Sequence, residues 1–299
     1  MEQMIDNLKK KFKEADTVFK FIYVNAAIFF LFALVGVIMQ LFNREFTFFY
    51  NYLALPASFT QFFLQPWSII SYMFMHAGII HILFNMLWLY WFGQIFLQFF
   101  SAIHLRGLYF LGGICGGLLY MISYNVFPYF HPMIEHSTMV GASASVLGIV
   151  IATAYREPNY PIRLFLFGVL RLKYLAAIVV ISDLFFITSS NAGGHIAHLG
   201  GALAGLWFAS SLSKGKDVTR WINNILDFFV RIFTTPFKKK PRKPKMKVYK
   251  GKREEDYNYN AEKKQQSEEV DRILDKLKKS GYASLTEKEK KALFDASKK

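Results

Sequence analysis

The sequence predicts an all-α membrane protein: a six-transmembrane-helix bundle with both termini cytoplasmic and a short helical C-terminal tail. Composition, charge placement and the length of the apolar stretches carry that prediction. Of the 299 residues 53% are hydrophobic, with 32 Phe, 16 Tyr and 5 Trp. A soluble domain exposing so much aromatic surface would self-associate. The net charge of +15 sits at the ends: residues 214–299 hold 25 Lys/Arg and 13 Asp/Glu, residues 21–213 only 6 and 4. Between those ends, apolar stretches recur at roughly the 20 residues that cross a hydrocarbon core.

The first 20 residues are too long and too acidic for the basic head of a signal peptide, and no small-residue cleavage site follows. The first apolar stretch therefore reads as a retained span. The six spans fall approximately at 21–41, 79–99, 108–126, 141–155, 172–188 and 194–212, the fourth being short. Helices are the default there, since backbone groups at that depth meet no water. With both termini inside, the cytoplasmic connections hold Arg106, Arg156, Arg163, Arg171 and Lys173, and the external ones only Arg44. That asymmetry sets the orientation and requires an even number of spans. The organisation is a cytoplasmic segment at 1–20, a membrane domain at 21–212, an amphipathic and polybasic linker at 213–265 and a small helical cytoplasmic tail at 266–299. The single cysteine, Cys115, has no partner within the chain, so disulfides play no part.

The first external connection, from Asn43 to about Ile80, is dense in aromatics from Phe46 to Trp67. It fits a segment lying in the membrane interface or a hairpin capping the helices, and the two are compatible. Small residues cluster in the third span (Gly112, Gly113, Gly116, Gly117) and the sixth (Gly200, Gly201, Gly205). In lipid such residues let helix backbones approach closely. For the third span this means packing without chemistry; in the sixth the same approach brings His198 towards another helix. Beyond Leu212, apolar residues from Trp221 to Phe237 at helical spacing suggest an interfacial amphipathic helix. The run KKKPRKPK at 238–245 suits anionic lipid; a tail tethered beside a membrane speaks against nucleic acid. Residues 268–280 read as a short helix stopped by Gly281, and Thr286 with Glu289 forms a capping box opening another.

Polar and ionisable groups inside spans are costly, and so are functional candidates. His81 and Asn85, four apart, share one face of the second span and offer donors to an oxygen that gains negative charge. They equally suit plain inter-helix bonding. Ser143 lies in Gly141-Ala142-Ser143-Ala144, where small neighbours leave room and a helix start supplies free N–H groups. A lone membrane serine is usually only a back-bonded helix residue. His198, about one turn inside the sixth span, is the natural base for a hydroxyl, with His195 as its rival three residues earlier. Asp183, in the outer half of the fifth span, either completes a triad or orients a histidine or, the favoured reading, bonds locally. Zinc on His76, His81, His195 and His198 is the competing chemistry, but no H-E-x-x-H occurs and no carboxylate is near them in sequence.

Together these residues resemble the rhomboid family of intramembrane serine proteases across most of residues 20–212. The likeness rests on His76-A-G-I-I-His81-I-L-F-Asn85-M-L-W, Gly141-A-Ser143-A and His198-L-G-Gly201-A-L-A-Gly205. It implies Ser143 as nucleophile, His198 as base, and His81, Asn85 and backbone from Gly141 as oxyanion donors. His195 fails the match, because the position three residues on is not glycine. The chain departs from the family pattern at Ala144, where glycine is frequent. It departs again at Leu147, where an aromatic often stacks on the base, and at Trp67-Ser68, where Trp-Arg is common.

The resemblance implies an intramembrane serine endopeptidase with a Ser–His dyad whose two groups share a hydrogen bond, the imidazole being held by burial between helices. No cofactor and no metal is implied. The partners are transmembrane-protein substrates and membrane lipid, with no nucleic acid, in what is expected to be the plasma (inner) membrane. A non-catalytic rhomboid-like protein that binds membrane helices for sorting or degradation is the rival reading. A small transporter would need inverted repeats and discontinuous charged spans, which the sequence lacks.

Overall fold

Asp16 opens helix α1 (Thr17–Leu41) by accepting the Phe19 N–H at 2.9 Å, the usual means of satisfying a first-turn donor. The structure, a computed structural model, describes residues 6, 10–12, 14–164, 168–234 and 253–296. The polybasic run at 238–245 lies outside the described residues. The chain folds as two units, Met1–Pro236 and Phe237–Lys299.

In the first unit α1 buries only Val18, Phe21 and Asn25. The Phe21 ring stacks on Tyr109 at 4.1 Å, and Asn25 Nδ2 donates to the Phe21 carbonyl and to the Tyr109 hydroxyl. The connection from Asn43 to about Ile80 folds into short pieces: α2 (Thr47–Leu53), β1 (Leu55–Pro56), α3 (Phe59–Leu64) and α4 (Ser68–Ser71). Trp67 Nε1 donates to the Tyr52 carbonyl at 2.9 Å, while Phe63 and Leu64 remain exposed. The connection is a packed cap with apolar side chains exposed at its rim.

Helices α5 (Ile79–Phe96), α6 (Ala102–Val126), α7 (Ser143–Arg156), α8 (Leu172–Phe185) and α9 (Ala192–Leu212) follow. With α1 they occupy the six predicted positions. Among the described residues, three helices are long and apolar enough to cross a membrane: α1, α5 and α6. Helices α7 and α8 have 14 residues each, about 21 Å, against a hydrocarbon core of roughly 30 Å. Residues 161–171, read from sequence as part of a plain connection, carry the antiparallel strands β3 (Pro161–Leu164) and β4 (Gly168–Arg171).

Arg106 is not in a connection. Ser101 caps α6 so that the helix starts at Ala102, six residues before the predicted boundary. Buried Leu105 and Leu108 give this first stretch an apolar face despite its charge. From there Arg106 pairs with Asp227 at 2.9 Å and donates to Asn223 Oδ1 at 2.8 Å, both on α10 (Arg220–Thr234). Trp221, Ile225, Phe228 and Phe229 of α10 are exposed, as an interfacial helix requires.

The centre of the unit is a three-helix contact made at glycine. A Cβ on Gly116 would stand 2.6 Å from Ala144 Cβ of α7 and 2.7 Å from the Ala197 carbonyl of α9. On α9, Cβ atoms at Gly201 and Gly205 would collide with the carbonyls of Ala144 and Gly148. Residues four apart on α9 thus lie against residues four apart on α7, backbone to backbone.

In the second unit α11 (Arg253–Ser280) is longer than the predicted short helix, because polar residues of good helix propensity extend it N-terminally. It stops at Gly281, whose φ is +74°. The capping box forms as predicted at the start of α12 (Glu287–Ala296): Thr286 N–H donates to Glu289 Oε2 at 2.8 Å, and Glu289 N–H to Thr286 Oγ1 at 3.4 Å.

Candidate active site

The loop before α7 is positioned from two sides. Strand β1 pairs with β2 (Thr138–Met139), and Gly141 N–H donates to the Tyr72 carbonyl at 2.9 Å. Gly141 adopts φ +130°, a conformation that side chains rarely tolerate. A Cβ there would lie 2.9 Å from Cε1 and Nε2 of His81 and 3.7 Å from Ser143 Oγ. The missing side chain is therefore the space between the His81 ring and the serine hydroxyl. Ser143 is the first residue of α7, where backbone N–H groups have no intrahelical acceptor.

His81 stands in the first turn of α5. Its Nδ1 accepts the Ala77 N–H at 3.3 Å, so in the neutral ring the proton is on Nε2, the nitrogen nearest the Gly141 gap. Asn85 Nδ2 donates to the His81 carbonyl at 2.9 Å and keeps a second N–H, while its buried Oδ1 has no partner among the described residues. Two donors on one helix face are thereby fixed beside the serine.

His198 lies on the α9 face drawn in by the glycine contact. Its Nδ1 is 3.0 Å from Asp183 Oδ1 on α8, and the same oxygen is 2.7 Å from His195 Nδ1. Ser143, His198, His81 and Asn85 all line one cavity of about 730 Å³, walled further by Trp88, Leu147 and Tyr120. His195 and His76 are not among its lining residues. No hydrogen bond joins Ser143 to His198 among the described residues; the two groups face a common space instead. Ser145, two positions on, is fully buried and has no access to it.

The histidines divide into two pairs rather than one cluster. His76 and His81 rings are 5.2 Å apart, and His195 and His198 converge on Asp183. Asp183 meets both histidines from 12 and 15 residues away on another helix, so the local bonding favoured from the sequence gives way to contact with histidine. Its signal was visible all the same, as an acidic residue in an apolar helix. Asp183, His195 and His198 offer ligand atoms within 4.8 Å of one another.

Comparison with known proteins matches this architecture. A Rhomboid domain model covers residues 63–215, and a Family of unknown function (DUF6576) covers residues 255–299. The chain is similar to RHOMBOID-like protein 12, mitochondrial, of Arabidopsis thaliana, 26% identical over 212 residues, 68% of this chain and 60% of that protein. RHOMBOID-like protein 7 of the same plant is 29% identical over 86 residues (29% and 24% of the two chains). RHOMBOID-like protein 2, also from Arabidopsis thaliana, is 34% identical over 85 residues (28% and 24%). The chain thus spans less than two thirds of the length of each of these relatives. With the domain model covering just over half of its 299 residues, the chain belongs to the rhomboid domain family.

Proposed function

We propose that the protein is an intramembrane serine endopeptidase that hydrolyses a peptide bond in or near the transmembrane segment of a membrane-protein substrate. The observation that carries this reading is the convergence of Ser143, His198, His81 and Asn85, from three helices, on one cavity. In the proposed topology α1, α5, α6, α7, α8 and α9 are the six spans, both termini are cytoplasmic and the membrane is the plasma (inner) membrane. Basic residues on the connections assigned to the inside support that orientation.

A substrate helix enters laterally and unwinds beside the cavity. His198 takes the Ser143 proton as Oγ bonds to the carbonyl carbon. The oxyanion is held by His81 Nε2–H, Asn85 Nδ2–H and the free N–H groups at the start of α7. His198 then gives its proton to the leaving amine, and water, activated the same way, releases the acyl group. Before substrate binds, the hydroxyl and imidazole need only face one another, since such bonds often tighten in the complex.

The missing Ser143–His198 bond is what favours the second reading, a non-catalytic rhomboid-like protein that binds membrane helices. One experiment separates them. The wild type, reconstituted in vesicles, should cleave a single-span reporter and react with a fluorophosphonate probe, and Ser143→Ala should do neither while remaining folded. Equal labelling of both proteins, or cleavage by Ser143→Ala, would overturn the nucleophile assignment.

A further inference from the structure

Asp183 is the sole acidic residue between Glu157 and Asp217, and it is buried. A carboxylate in an apolar interior is retained only against donors that offset its lost hydration. Its Oδ1 meets Nδ1 of His195 at 2.7 Å and Nδ1 of His198 at 3.0 Å, while Oδ2 is buried without a partner among the described residues. Histidines three apart on α9 present to the same neighbour, yet their rings stand 84° apart and 6.1 Å between centroids. Only the His198 ring reaches the cavity with Ser143.

An ionised carboxylate only accepts, so each Nδ1 facing it is a donor. In a neutral imidazole a proton on Nδ1 leaves the Nε2 lone pair bare. That is the form able to take a proton from a hydroxyl; the other tautomer is not. We propose that Asp183 is a positioning residue: by accepting Nδ1–H it fixes the His198 tautomer with a basic Nε2, and His195 supplies the second donor that keeps the buried carboxylate satisfied. This rests on the Ser143–His198 reading and adds a carboxylate to what burial alone was expected to do.

The test uses the full chain with ¹⁵N-labelled histidine, the His198 ring signals being assigned by their loss in His198→Ala. The wild type shows Nδ1 protonated and Nε2 bare. In Asp183→Asn the amide offers either N–H or C=O to the ring, so the bare-Nε2 population falls. Reporter cleavage then loses on the order of a hundredfold in kcat, with KM within about twofold. His195→Gln leaves the His198 signals as they are. If Asp183→Asn keeps both ring signals and kcat, the contact is only a clamp between α8 and α9 and the proposal falls. Stoichiometric zinc in the purified protein, lost in Asp183→Asn, would also overturn it by making the carboxylate a metal ligand. If neither wild type nor Ser143→Ala cleaves while the ring signals still shift in Asp183→Asn, the protease reading fails and the tautomer assignment stands.

Discussion

Residues 1–236 and residues 237–299 hold their helices together by different means. In the first unit α6, α7 and α9 meet at glycines whose Cβ atoms would enter a neighbouring backbone, and only four acidic residues serve positions 21–213. In the second, Lys276 of α11 reaches Glu289 of α12 at 2.9 Å, Glu289 being also the capping-box carboxylate that closes the start of its own helix, with Ile273 and Leu285 as the small apolar centre. Lipid offers helices no hydrophobic reason to associate, so close contact and inter-helix hydrogen bonds have to do it. Water allows long polar side chains to serve, at the cost of screening and side-chain entropy. Groups that must be placed to within a fraction of an ångström stand where the contact is backbone on backbone.

The contrast is broken most severely at Gly201. Gly201→Leu puts a branched side chain where the Ala144 carbonyl already is. The expected cost is about 3 kcal/mol or failure to assemble, with reporter cleavage falling at least tenfold as His198 moves away from α7. Thermal unfolding in detergent and the cleavage assay read both. Unchanged stability would mean that something other than this contact holds α9.

A smaller effect is expected where large side chains do the holding inside the same unit. Phe21→Ala removes the ring stacked on Tyr109 at 4.1 Å, worth on the order of 1 kcal/mol beyond its buried area. Stability should fall while cleavage per folded molecule stays within about twofold, since α1 contributes nothing to the cavity lining. A collapse of activity equal to that of Gly201→Leu would erase the distinction between a helix that shapes the site and one that braces it.

What could be read in advance follows the range of each interaction. Apolar length located the helices; local spacing raised His81 with Asn85, Ser143 beside Gly141, and His198 as candidates, and the rhomboid resemblance chose His198 over His195, all four chosen residues lining one cavity that Gly141 borders. The glycine clusters announced that helices would meet, but not which polar side chains would pair across them. Asp183 reaches His198 across 15 residues, and Arg106 reaches Asn223 across 117. Neither residue has a neighbour in sequence that announces its partner. Arg106 was also misplaced by a rule of composition, because a charged residue inside a helix start looks like a loop residue until Leu105 and Leu108 are seen to be buried. The pairing of β3 with β4 escaped for the opposite reason: its short segments carry no alternation long enough to stand out.

The smallest expected effect tests the tail half of the comparison. The Thr286 backbone N–H, then the Lys276 ammonium and the Thr286 hydroxyl, hold the partly buried Glu289 carboxyl down from its ordinary 4.5 to about 2. A carboxyl depressed in the folded state stabilises it fully above the unfolded value and ceases to do so as pH falls through the folded one. Amide protection at the start of α12 should therefore be complete above pH 4.5 and be lost as the pH falls towards 2, with the Glu289 carboxyl carbon titrating near the lower figure. Added salt should weaken the Lys276 contribution and leave the glycine contacts of the first unit untouched. A Glu289 midpoint at 4.5 would show that the capping box does not favour the ionised carboxylate, and the tail would then depend on its apolar centre of Ile273 and Leu285.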